Sequence, residues 1–92
     1  MQYIIDGKKY DTEVSTKLCR HVSSKSQWGV SDIHNLYVTD KGTYFLEVLE
    51  EDVTPKKVEA LTEKKAKEFM NKHAAGVDVE AYERIFGEAE KG

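Results

Sequence analysis

The residue types best suited to chemistry are one cysteine, three histidines and several closely set carboxylates. Cys19 and His21 stand two apart, with His34 and His73 elsewhere in the chain. On a strand the first two share a face, but zinc modules carry paired ligand spacings that this sequence lacks. The four therefore read as isolated surface or half-buried side chains, not as a metal site. A Cys/His nucleophile needs a neighbouring motif and a pocket that excludes water, and a core this small leaves little room for one. The carboxylate pairs Glu50 with Asp52 and Glu80 with Glu83 would act as acid and base only if one partner were desolvated enough to shift its pKa. Both pairs lie in strongly polar stretches and read as solvated. DGKK at 6–9 is a turn and not a phosphate-binding Walker element. The expectation is a protein with no catalytic residues, metal or cofactor.

Such a chain has to act through its surface, so the elements that shape the surface come next. Ninety-two residues, 39% apolar and 34% charged, suit one domain rather than a disordered chain. A domain of this size buries about two-thirds of its unfolded surface. The lone Cys19 excludes an intramolecular disulfide, and the absence of a leader-like or long apolar run points to the cytoplasm, as a monomer or homodimer without membrane attachment.

The strongest local signal is IHNLYVTDKGTYFLEVL at 33–49, two runs of β-branched and aromatic residues around Asp40, Lys41 and Gly42. It predicts an antiparallel hairpin with glycine at φ > 0. A first hairpin is expected at Gln2–Ile5 and Tyr10 onward, with Asp6-Gly7 in its turn. Residues 12–22 fit helix or strand. Val14, Leu18 and Val22 repeat every four, but Thr12, Val14, Thr16 and Val22 are β-branched, which favours a strand. A polar loop at 23–31 carries Trp28, either folded over the core or exposed as a contact.

Pro55 is expected to end any continuous element near 50–57, leaving a last short strand at 58–61. Thr62 then offers an N-cap to a helix from about 63 to 73, with Ala66, Phe69, Met70, His73 and Ala74 on one stripe and Gly76 as its stop. Asp78 caps a second helix, Val77 and Tyr82 form a hydrophobic staple, and Val79, Tyr82, Ile85 and Phe86 supply its buried face up to Gly87. The tail 88–92 frays. Residues 1–61 mainly β and 62–87 helical give a single α+β domain, a small antiparallel sheet with two C-terminal helices packed on one face.

Two kinds of contact surface compete. Tyr37, Tyr44, Phe45 and Trp28 lie on or beside the sheet near lysines, as in proteins that stack bases. The net charge of −3 and the lack of a continuous basic stripe speak against nucleic acid. The favoured surface is acidic, with Glu47, Glu50, Glu51 and Asp52 after the central hairpin and Glu80 and Glu83 on one face of the second helix, facing Lys or Arg on a partner protein.

Several stretches resemble a family of small accessory proteins from phages and mobile elements. They are Gly7, Lys8 and YDTE at 10–13, LYVTDKGTYFL at 36–46, LTEKKAKEF at 61–69 and YERIFGE at 82–88. The resemblance covers about a third of the chain, in the family's order. It implies a helix entry at Thr62 and a role among inhibitors of bacterial immune systems, of which anti-CRISPR proteins are the best-known sort. Such inhibitors are commonly non-enzymatic and occupy a nucleic-acid or partner site on the effector complex. The EEDVTPKK segment at 50–57 is shorter and more charged than the family's glycine-rich, aromatic counterpart, and no functional residue is carried over from the family.

Overall fold

A computed structural model describes residues 1–24, 29, 31–51 and 53–92. Trp28 and Asp52, both singled out above as contacts, lie outside the described residues. Strand β1 (Gln2–Ile5) pairs with β2 (Lys8–Asp11), and β3 (Thr16–Ser24), β4 (Ser31–Val38), β5 (Tyr44–Glu50) and β6 (Thr54–Leu61) form a four-stranded antiparallel sheet in chain order. Helices α1 (Glu63–Lys72) and α2 (Val79–Phe86) follow, which is the expected α+β layout.

The turns follow from their residues. Asp6 at φ 50° and Gly7 at φ 77° are both left-handed, the backbone that a two-residue hairpin loop needs to match strand twist. Strand β2 consequently starts at Lys8, earlier than Tyr10. In the central hairpin, Gly42 takes φ 82° and Thr39 N–H donates to Thr43 O at 2.9 Å, which fixes the register from Val38 opposite Tyr44 to Asp32 opposite Glu50.

Two departures have local causes. The register of β3 against β4 slips between Lys17 and Cys19, so Leu18 and Cys19 are both buried. A bulge of this kind breaks strict alternation. Val14 sits exposed in the turn before β3, and Val22 is exposed on it, so neither shares Leu18's burial. Pro55 does not end the structure; it lies within β6 opposite Leu49, beside a register shift between Val48 and Leu49. At the edge of a sheet, a residue without an N–H is tolerated.

Thr62 caps α1 by accepting the Lys65 N–H at 3.2 Å, and Ala66 and Met70 are buried with Phe69 and His73 half-buried. Ala74 is exposed instead of extending the stripe, because the helix stops at His73 and Ala74–Gly76 form a 3₁₀ turn. Gly76 is required there: a Cβ on it would lie 2.0 Å from the Arg20 carbonyl oxygen, so the turn rests directly on β3. Val77 then bridges to Cys19, and Asp78 N–H donates to Leu18 O at 2.9 Å. The Asp78 carboxyl caps α2 by accepting the Ala81 N–H at 3.1 Å. Ala81, Tyr82 and Phe86 turn inward, whereas Val79 and Ile85, expected inside, are exposed. This short helix lies mainly against β3, so its covered arc is narrow and centred on Ala81.

The sheet is covered on both sides. On the helical side, Leu18, Leu36, Val38, Tyr44, Leu46 and Val48 pack against Ala66, Met70 and Ala81. On the other, Tyr37, Phe45 and Val58 pack against Tyr3, Ile5 and Tyr10 of the first hairpin. Among the described residues no helix is long and apolar enough to cross a membrane.

Candidate functional site

Glu47 is not part of an acidic rim. Its place on β5 between Phe45 and Leu49, opposite Asn35 and Val58, puts it under the first hairpin, 4% exposed. One carboxyl oxygen accepts the Tyr3 hydroxyl at 2.5 Å and the other accepts Asn35 Nδ2 at 3.3 Å. Burial, and then the adjoining Glu47, push the Tyr3 hydroxyl above its usual pKa. Asn35 Oδ1 is buried with no hydrogen-bond partner among the described residues. This polar row ties the hairpin to the sheet and leaves Glu47 unable to reach a partner.

The remaining carboxylates fall into two separate groups. Glu50 and Glu51 are exposed at the β5–β6 turn, where Glu51 N–H donates to Ser31 O at 2.8 Å and Val53 N–H to Glu50 O at 3.1 Å. Glu51 holds φ 52°, an uncommon value for a residue with a side chain, and Val53 stands 75% exposed beside it. Glu80 is exposed in the first turn of α2, next to exposed Val79, while half-buried Glu83 accepts the Ala89 N–H at 3.1 Å. Phe86 of α2 stacks over Tyr44 at one end of β5, and Glu50 closes the other. Six residue-to-residue steps along β5 separate Tyr44 from Glu50, about 20 Å. The two acidic groups therefore present themselves separately instead of forming one surface.

Of the aromatics weighed as a platform for bases, the three in the described residues lie inside the protein, as core pairs would. Tyr37 and Phe45 stack across strands at 5.1 Å with Tyr10 packed on Phe45 at 5.2 Å, and Tyr37, Tyr44 and Phe45 are all buried. These are core pairs with no ring face open to a nucleotide.

The histidines are not isolated. His21 of β3 stacks on His73 at the end of α1, with ring centroids 3.7 Å apart and planes 22° off parallel, and His34 of β4 stands 5.8 Å from His21. Ser23 Oγ lies 3.3 Å from His34 Nε2, and Cys19 Sγ donates to the His73 carbonyl at 3.6 Å. Burial pushes the Cys19 thiol above its usual pKa. Ring nitrogens bind a metal along the ring plane, and stacked planes run side by side, so these lone pairs do not converge; no metal-holding group occurs among the described residues. Beside His34, Asp32, Leu46, Val48, Lys56 and Lys57 line an open cleft of about 380 Å³, with Lys56 Nζ 3.2 Å from the Asp32 carboxylate.

No family model, curated protein or solved structure matches this chain.

Proposed function

We propose that this chain is a non-enzymatic phage or mobile-element protein of the host bacterial cytoplasm that binds a defence effector, a CRISPR-associated complex, and blocks a nucleic-acid or partner site on it. The observation that carries the reading is the β5–β6 tip. Glu50 and Glu51 are exposed just ahead of the exposed Val53, with Glu51 N–H bonded to Ser31 O and Val53 N–H to Glu50 O. The exposed Glu50 and Glu51 carboxylates suit the lysines and arginines that line a groove for nucleic acid. Val53 supplies the apolar contact that a purely acidic patch lacks. The motifs at 10–13, 36–46, 61–69 and 82–88 support the phage assignment by resemblance.

The test is inhibition of CRISPR interference in bacteria that express the chain, followed by co-purification with the effector complex. The wild type should restore phage plating and co-purify, in a salt-sensitive manner. Glu50→Lys combined with Glu51→Lys should reduce capture at least tenfold with unfolding unchanged. Inhibition as strong by the charge-reversed chain would overturn the tip as the contact, and failure to protect phage against any CRISPR type would overturn the proposed role.

A further inference from the structure

All three histidines of the chain meet where the helical layer joins the sheet, and the joint is unusually close. The His73 ring lies between His21, at 3.7 Å, and Phe69, at 4.7 Å. Just beyond it, the 3₁₀ turn rests on β3 at Gly76, Val77 bridges to Cys19 and Asp78 N–H donates to Leu18 O. Moving His73 away from His21 pulls directly on this run, which is how α1 and α2 are both tied to β3.

We propose that the His21–His73 stack is an acid-sensitive latch, closed while His73 is neutral and loosened when it takes up a proton, so that the helical layer lifts from β3. A proton on His73 would sit 3.7 Å from the His21 ring in a half-buried setting, where burial and the neighbouring His21, Lys72 and His34 disfavour the charge. From α1, Lys72 adds positive charge beside His73. From β4 comes His34, with Asp32 on the same face bound to Lys56 of β6, and Lys57 lies in the same cleft. From β3 the Cys19 thiol donates to the His73 carbonyl and stays protonated. The 3₁₀ turn brings no titratable group, and the Asp78 carboxyl is occupied by Ala81 N–H.

Two influences favour a charged His73: the Phe69 ring and the carbonyl end of α1. Burial outweighs them, and together with His21, Lys72 and His34 it sets His73 below the usual histidine pKa of 6.5. The folded state then binds fewer protons than the unfolded chain. The contribution is intact above pH 6.5, and it is lost progressively as the pH falls below that value.

The decisive experiment measures amide hydrogen exchange at Val77 and Asp78, at pH 7.5 and 5.5, with the histidine ring signals followed by NMR over the same range. After correction for intrinsic exchange, protection in the wild type should fall severalfold more than at the β4–β5 amides. His73→Phe keeps an aromatic ring in place but cannot titrate, and should show no such extra loss; His21→Phe should show less than the wild type. A His73 pKa at or above 6.5, or the same extra loss in His73→Phe, would overturn the latch. If His73→Phe proves unfolded, the wild-type ring titration and amide protection still decide the question.

Discussion

The two sides of the four-stranded sheet are closed by different means. On the helical side the buried set is apolar, from Leu18 through Leu36 and Val38 to Ala66 and Met70. On the hairpin side an apolar cluster of Tyr10, Tyr37 and Phe45 adjoins a polar row in which Glu47 joins Tyr3 to Asn35. Apolar packing is non-directional and accommodates small shifts of the covering element. A buried carboxyl with two donors does not, since any other seating of the hairpin leaves polar atoms without partners. The hairpin's seating is fixed by side-chain hydrogen bonds to a buried carboxyl, whereas the helices combine apolar area with the close fit at Gly76 and the backbone links of Val77 and Asp78 to β3.

Large-to-small changes should test this contrast most severely. Phe45→Ala on the hairpin side should cost about 3–5 kcal/mol and Leu36→Ala on the helical side about 2–5 kcal/mol by chemical denaturation. Both side chains are fully buried, so a cost under 1 kcal/mol for either would show that its side of the sheet is not a packed core. Glu47→Ala comes next, at about 1–3 kcal/mol, because it strands the Tyr3 hydroxyl and the Asn35 amide. Tyr3→Phe should cost about 1 kcal/mol alone and much less in the Glu47→Ala background. Strict additivity of the two would mean that the hydrogen bond does not hold the hairpin. Asp78→Ala should likewise cost about 1 kcal/mol, through loss of the α2 cap alone; a loss without effect on the hairpin's amide protection would keep the two sides independent.

Most of the fold is written in short-range pattern. Asp-Gly at 6–7, Gly42 in its turn, and the caps Thr62 and Asp78 act on neighbours within a few residues, and each does in the structure what its chemistry predicts. The bulge at Lys17–Cys19 and the passage of β6 through Pro55 depend on the partner strand, which no local pattern of β3 or β6 reveals. The acidic surface was less legible. Glu47 is flanked two residues away on each side by Phe45 and Leu49, and Asn35 by Ile33 and Tyr37, so each is the polar member of an apolar strand face. That placement is a readable sign of burial, overridden by the carboxylates that follow Glu47 in the chain. The meeting of His21, His34 and His73 had no such sign, because it joins residues 52 apart through the docking of α1.

The two borders of the larger sheet carry a consequence for life at high concentration. On β6, Pro55 has no N–H to offer and Lys56 and Lys57 follow it with charge; along β3, Val77 and Asp78 already occupy backbone groups of Cys19 and Leu18. At these positions a neighbouring strand meets a missing donor, charge or an occupied backbone group. Each border of the larger sheet thus carries a local guard against edge-to-edge growth, chemical on one side and supplied by docked chain on the other.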